Sequence, residues 1–321
     1  MLRVGIQAIA AERLQRYLPS VHVVPVPDAP ADSIDIDLWV SPFSSKAAPG
    51  IFPHLRGVKI IQTLTAGVDS IVKWLPKEIT LCDGRGVHDA AASEWVLAAI
   101  LASLKQLPLY RDRQNAQVWI GQARESDFVD EHPAANGLYR ILGEDLARKR
   151  VLIVGYGSIG AAIERRLAAF DMEITRVART AKQQPEVHAI GDLHALLPTV
   201  DIVVLIVPLT DETRGLMGEH ELRLMKPGTL LVNAARGPVV DTAALLAALQ
   251  ENRIRCAADV TDPEPLPSGH PLWSAPNFLL TPHVASSTPL FLERAFELVA
   301  RQVAHLENGE ALENVVGNAG Y

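Results

Sequence analysis

An arginine, a glutamate and a histidine each follow a short apolar run in the second half of the chain. Together they could hold an anion and move a proton. Asn233-Ala234-Ala235-Arg236-Gly237 follows a run that begins at Thr229, and Asp259-Val260-Thr261-Asp262-Pro263-Glu264-Pro265-Leu266-Pro267 follows one that begins at Cys256. Thr281-Pro282-His283 closes a third run, from Phe278. A guanidinium at Arg236 can fork onto a carboxylate through two parallel hydrogen bonds; a loop arginine can equally be a surface ion pair. The prolines keep Glu264 in an extended loop, where the plainer alternative is an exposed acidic turn. His283 can donate a proton to a carbonyl oxygen and take it back in the reverse direction. A carboxylate that reached its ring would fix the orientation and favour the imidazolium. The sequence contains neither a Ser-His-Asp set nor an HExxH metal motif to compete with this arrangement.

A partner for that chemistry is suggested by Val151-Leu-Ile-Val-Gly155-Tyr-Gly157-Ser158-Ile159-Gly160, an apolar run that breaks into GxGxxG before a helical pattern. Strand, tight turn and helix start in that order suit a dinucleotide. Gly155 allows the turn, Gly157 lets a pyrophosphate approach the backbone, and Gly160 packs the helix on its strand. The helix N-terminus adds free N–H groups and partial positive charge. An acid that would hold a ribose 2′-hydroxyl is expected about 20 residues further on. That place holds Ala178-Arg179-Thr180. Arg179 and Thr180, with Lys182 adding charge, suit a 2′-phosphate and favour NADP(H) over NAD(H); the alternative is that Arg179 lies over adenine or faces solvent.

These residues need a scaffold, and 321 residues are enough for two domains with separate cores. Net charge −7 and pI near 5.8 point away from nucleic acid and anionic membranes, toward a small-molecule substrate. Cys82 and Cys256, far apart and in apolar segments, suggest no disulfide or metal pair and fit a reducing cytoplasm. No apolar run is long enough to span a bilayer.

Short apolar runs at Leu2–Ile6, Val21–Val26, Leu38–Val40, Val58–Gln62 and Ile79–Cys82, spaced by helix-sized gaps, predict a first parallel sheet. Between two of them lies Thr63 to Asp69, a strand end with small residues whose N–H groups could face a ligand. A helix from about Ala90 to Lys105 follows. Residues 106–142 carry aromatics among charges without clear periodicity, so they form either a lid or a subunit-exchange arm, the arm being favoured. Six further runs, Val151–Val154, Glu173–Val177, Ile202–Val207, Thr229–Asn233, Cys256–Val260 and Phe278–Leu280, predict a complete dinucleotide-binding domain. The fold class is α/β: two Rossmann-like or flavodoxin-like domains with doubly wound parallel sheets. A last amphipathic helix, Leu290–Asn308, is expected to return to the first domain.

Together these segments resemble the D-isomer-specific 2-hydroxyacid dehydrogenase family, which includes phosphoglycerate dehydrogenase-like and glyoxylate/hydroxypyruvate reductase-like members. The motifs are Ala66-Gly67-Val68-Asp69, Gly155 to Gly160, Pro208-Leu209-Thr210 with Thr213, Met225-Lys226-Pro227-Gly228, Asn233 to Asp241, Glu264-Pro265-Leu266-Pro267 and Thr281-Pro282-His283. The resemblance implies hydride transfer between NAD(P)H and a small 2-oxo or D-2-hydroxy acid, with Arg236, Glu264 and His283 as the catalytic set. It implies Ser158 and Ile159 at the pyrophosphate, Val207, Pro208, Ala234 and Ala235 lining the cofactor site, and Asp259 at the nicotinamide carboxamide. Ala66 and Gly67 would offer N–H groups to the substrate carboxylate. It also implies a homodimer built partly through residues 106–142, and a substrate domain of 1–98 plus 287–321 around a cofactor domain of 99–286. This chain departs from the family pattern at Ala178, where NAD-using members often carry Asp, and at Thr261-Asp262, where an aromatic–acidic pair is usual. Arg85 is a candidate for extra anion binding, or else pairs with Asp83 or Asp89. Rival readings on the same fold are a dinucleotide-sensing corepressor-like scaffold and a formate or phosphite dehydrogenase.

Overall fold

The computed structural model describes residues 1–42, 47–119 and 143–317. Its contacts divide the chain into two units, Met1–Ala91 with Ser286–Tyr321, and Ala92–Ala285.

In the first unit the order is β1 (Arg3–Gln7), α1 (Ala8–Gln15), β2 (His22–Val26), β3 (Ile34–Asp35), β4 (Leu38–Val40), α2 (Ala48–Ile51), β5 (Leu55–Arg56), β6 (Ile60–Gln62) and β7 (Thr80–Cys82). Five of these make a parallel sheet in the order β2-β1-β4-β6-β7, the flavodoxin-like arrangement once the small β3–β5 pair is set aside. All five are the runs that their buried apolar character predicts. The β3–β5 pair, two residues per strand, leaves no periodic trace.

Helix α3 (Asp89–Leu104) begins in the first unit and continues into the second. The division at Ala91 therefore falls inside a helix, seven residues before the boundary read from the sequence, where no loop marks it. Helix α4 (Leu107–Asn115) corrects the expectation of an irregular segment after Gln106. Pro108 sits in its first turn, where a missing N–H breaks no helical bond. The rest of the expected arm, 120–142, lies outside the described residues.

The second unit then runs β8 (Arg150–Val154), α5 (Ser158–Ala168), β9 (Glu173–Ala178), β10 (Lys182–Gln183), β11 (Glu186–Ala189), α6 (Leu193–Leu196), β12 (Ile202–Leu205), α7 (Glu219–Leu224), β13 (Leu230–Asn233), α8 (Thr242–Gln250), β14 (Arg255–Ala258) and β15 (Phe278–Leu280). The sheet order is β10-β11-β9-β8-β12-β13-β14-β15, parallel throughout except at the β10–β11 edge. This is the dinucleotide-binding order 3-2-1-4-5-6, made by β11-β9-β8-β12-β13-β14, with one more strand at each edge. The six runs picked from the sequence omit its third strand, β11, and the two-residue edge strand β10, and include the other added strand, β15. The omission has a physical cause: only Val187 of β11 is buried, so the strand lacks the apolar run of its neighbours.

Strand β8 feeds two cores. Leu152 and Val154 pack on one face with Val203, Leu205 and Leu231, while Val151 and Ile153 pack on the other with Ile202, Val204, Ala99 and Ile100. Burial on both faces is why these strands read as unbroken apolar runs. Helix α9 (Phe291–Asn308) belongs to the first unit, where Phe296, Val299 and Val303 meet Val4, Ile6 and Leu14. Gly309, left-handed at φ +71°, ends it.

Candidate active site

The glycine turn explains two of its three glycines by packing and leaves the third unexplained. Gly155 has φ +110°, and a Cβ there would stand 2.5 Å from the Ile206 carbonyl oxygen. A Cβ on Gly160 would stand 2.6 Å from the Gly155 oxygen, so helix and strand need that glycine to close up. A Cβ on Gly157 would meet nothing within 4 Å. Gly157 is also the N-cap of α5 and offers no side chain to the helix's N–H groups. Open space at an uncapped helix N-terminus fits a pyrophosphate, with Ser158 and Ile159 in the first turn.

The turn is tied to β9 by a network that sequence patterns do not signal. The Tyr156 hydroxyl donates to Glu164, and Arg176 grips both oxygens of Glu164, one at 2.8 Å from Nε. The Arg176 guanidinium lies 5.6 Å from the Tyr156 ring centre. Hydrogen bonding from Arg176 holds the Glu164 carboxyl below its ordinary range, so the pair is ionised. Arg176 is thereby committed. Arg179, Thr180 and Lys182 beyond it are exposed, and the Arg179 side chain makes no hydrogen bond or ion pair among the described residues.

At the end of β12, Val207 and Pro208 are half-buried, and Thr213 pins the turn by donating to the Pro208 oxygen at 2.6 Å. At the end of β13, buried Asn233 shapes the next turn: Oδ1 accepts from Ala235 N–H at 3.1 Å and Nδ2 donates to the Arg236 oxygen at 3.2 Å. Ala234 is half-buried and Ala235 buried. Arg236 itself is half-buried, with Nη1 donating to the Ala235 oxygen at 2.7 Å. Gly237 then passes against the loop after β14 so closely that a Cβ would lie 1.9 Å from the Thr261 oxygen. Backbone cannot retreat as a side chain can. Gly237→Ala is accordingly expected to lower stability by about 1–3 kcal/mol and to depress activity with it, as thermal unfolding and steady-state rates would report.

The histidine and glutamate meet. His283 Nδ1 lies 2.7 Å from Glu264 Oε1, both side chains about two-fifths exposed at 43% and 41%. That contact occupies one ring nitrogen and leaves Nε2 for proton transfer. His283 adopts φ +55°, a left-handed conformation that costs a non-glycine residue about 1–2 kcal/mol. Buried Asp259 holds the turn in that form. Its Oδ1 accepts from the Thr281 hydroxyl at 2.5 Å and Val284 N–H at 2.9 Å, and its Oδ2 from Ala285 N–H at 2.8 Å; its backbone oxygen accepts from His283 N–H at 2.6 Å. Three of the roughly four acceptor positions of a carboxylate are thus taken within the chain. Asp259, expected at the nicotinamide carboxamide, serves the histidine turn first. The departure at Thr261-Asp262 is accommodated locally, with Thr261 donating to the Pro263 oxygen at 2.9 Å and Thr242 to the Asp262 oxygen at 2.8 Å.

The remaining sequence candidates lie in the first unit. Ala66 and Gly67 are half-buried in the turn after β6. That turn is held by Thr63, whose hydroxyl donates to the Thr65 oxygen at 2.6 Å, and by Gly84, whose N–H donates to the same oxygen at 2.9 Å. Buried Gln62 and Gln302 bond to each other at 2.8 Å and tie α9 to it. Arg85 pairs with Asp83, with Nε and backbone N–H each 3.0 Å from Asp83 Oδ1, while its side chain stays 45% exposed. Both cysteines are free and buried, and burial pushes the Cys82 thiol up to about 11 and the Cys256 thiol up to about 12.

A dinucleotide-binding sheet whose strand ends carry an arginine, a glutamate and a histidine is that of an NAD(P)-dependent oxidoreductase. Residues 97–285, more than half of the chain, match the family model for the D-isomer specific 2-hydroxyacid dehydrogenase, NAD binding domain. A glyoxylate reductase from Thermococcus gammatolerans is 33% identical over 288 residues, which cover 88% of this chain and 83% of that protein. One from Thermofilum pendens is 36% identical over 287 residues, 86% of this chain and 80% of that protein. Among solved structures, a D-isomer specific 2-hydroxyacid dehydrogenase from Xanthobacter autotrophicus Py2 in complex with NADPH and MES aligns with a TM-score of 0.76 at 27% identity, covering 99% of this chain and 98% of that one. An NADPH-dependent glyoxylate/hydroxypyruvate reductase from Sinorhizobium meliloti in complex with NADP and sulfate shares the fold, with a TM-score of 0.83 at 24% identity over 100% of this chain and 99% of that one. The chain belongs to the D-isomer specific 2-hydroxyacid dehydrogenase family.

Proposed function

We propose that this dehydrogenase works as a reductase of small 2-oxo acids, glyoxylate and hydroxypyruvate foremost, and that it takes NADPH in preference to NADH. The observation that carries the chemistry is the contact between His283 and Glu264 in a turn held by Asp259. When bound, the nicotinamide supplies the hydride that reaches C2 of the substrate. Gly157, Ser158 and Ile159 hold the pyrophosphate, with Val207, Pro208, Ala234 and Ala235 along the rest of the cofactor. Arg236 engages the substrate carboxylate and orients it. His283 donates its proton from Nε2 to the carbonyl oxygen, Glu264 stabilises the imidazolium through Nδ1, and the reverse reaction returns the proton.

The preference for NADPH rests on Ala178, which leaves no carboxylate to repel a 2′-phosphate, and on the uncommitted guanidinium of Arg179 where Arg176 is spent on Glu164. The glyoxylate reductases that resemble this chain support the substrate class. Among the described residues no helix is long and apolar enough to cross a membrane. We place the enzyme in the cytoplasm as a homodimer.

The test is consumption of NADPH and of NADH with glyoxylate, hydroxypyruvate, pyruvate and bulkier 2-oxo acids. Turnover with glyoxylate and hydroxypyruvate above that with pyruvate and the bulkier acids, at a kcat/KM for NADPH at least about tenfold above that for NADH, a difference of about 1.4 kcal/mol, is the expected result. Tight NADPH binding without turnover on any 2-oxo acid would overturn the reductase reading, and a tenfold preference for NADH would overturn the Arg179 argument.

A further inference from the structure

Helices α6 and α7 bring two imidazoles and a carboxylate together on the surface of the second unit, in a group that the reductase chemistry does not use. His194 comes from α6, and His220 and Glu221 from α7. His194 Nε2 lies 2.8 Å from Glu221 Oε1, and the two rings meet edge to face with centres 5.2 Å apart. One potential ligand atom from each of the three side chains lies within 4.8 Å of the others.

We propose that His194, His220 and Glu221 form a binding site for a borderline-soft divalent cation, zinc in the first instance. Two imidazoles with one carboxylate suit zinc, nickel or copper, whereas magnesium and calcium prefer oxygen-only sets. The carboxylate is already placed. Its second oxygen accepts from Gly218 N–H at 3.0 Å at the start of α7, which fixes the group while Oε1 faces His194. Burial opposes its charge, yet the N–H groups of Glu221 and Gly218 and the His194 ring outweigh burial and hold its carboxyl below the ordinary range. Tetrahedral coordination at about 2.0–2.1 Å requires donor atoms about 3.3–3.5 Å apart. Both imidazoles are exposed, so ring rotations suffice to draw them in. The fourth position goes to water, and the bound ion ties α6 to α7.

The experiment is titration of the full chain, stripped with a chelator and dialysed, with zinc chloride in a non-coordinating buffer, followed by calorimetry and by thermal unfolding. One zinc per chain and a higher melting temperature are expected. His194→Gln with His220→Gln should weaken uptake by about tenfold or more, since two of three protein ligands are lost, and leave the metal-free melting temperature and the NADPH-dependent reductase rate unchanged. The His220→Gln single variant should fall between. Cobalt in place of zinc should give the visible absorption of a four-coordinate site in the unmodified chain and lose it in the double variant. Absence of zinc uptake, or uptake of unchanged affinity in the double variant, overturns the proposal.

Discussion

Replacing His283 with alanine is expected to lower kcat with glyoxylate by about 10²–10⁴-fold while leaving the affinity for NADPH near that of the unmodified enzyme. The two effects separate because the residues assigned to the dinucleotide are other ones: the glycine turn at 155–160, Val207 and Pro208, Ala234 and Ala235, and the strand end at Arg179. A proton donor lost from the reacting carbonyl costs rate, since the alkoxide that develops as hydride arrives has no partner. Alanine also inherits the left-handed backbone at position 283, where φ is +55°. His283→Asn is therefore the sharper variant, because asparagine tolerates that conformation yet cannot act as the acid. Both variants should bind NADPH in a fluorescence titration and fail in turnover. A His283→Asn enzyme that kept the original kcat would remove the histidine from the mechanism. Glu264→Gln should produce the same kind of loss at smaller size, since the amide can still touch Nδ1 but no longer offers a full negative charge to the imidazolium.

How much of this could be read before the structure depends on whether a feature is carried by burial or by tertiary hydrogen bonds. Strands such as β12 and β13 are buried at every residue, so their apolar runs announce them. Strand β11 buries only Val187 and is invisible on the same criterion. The glycine motif was legible because each position obeys a different constraint, and the distances at Gly155 and Gly160 show two of those constraints acting inside the protein. The meeting of His283 with Glu264, 19 residues apart, could be stated only as a condition, because the spacing of two loop residues does not fix the path between them. The backbone at His283 and its support by Asp259 carried no pattern at all. Acceptance of Thr281, Val284 and Ala285 by one buried carboxylate becomes apparent only once β14 and β15 are paired. The same holds for Tyr156, Glu164 and Arg176, whose contacts link the turn, α5 and β9.

Arg236→Met is expected to reduce kcat/KM for glyoxylate by about 30- to 5,000-fold, the equivalent of about 2–5 kcal/mol for truncating one side of a hydrogen-bonded charge pair. The loss should be local. The turn that carries Arg236 is shaped by Asn233, through bonds to the backbone of Ala235 and Arg236, and by the close passage of Gly237 against Thr261; neither depends on the guanidinium. Its bond to the Ala235 oxygen is lost, but that carbonyl belongs to a turn already held by Asn233. The melting temperature should therefore move less than in Gly237→Ala one residue on, where the backbone itself has no room for a Cβ. Arg236→Lys distinguishes charge from geometry. Lysine restores the positive charge but offers no planar fork, so it should recover part of KM and less of kcat if two parallel hydrogen bonds orient the 2-oxo acid for hydride transfer. A lysine variant with the full kcat/KM would show that Arg236 acts as a point charge, and a methionine variant with the full value would exclude it from the site. The paired measurement of stability and rate at positions 236 and 237 thus separates the side chain that meets the substrate from the backbone that carries it.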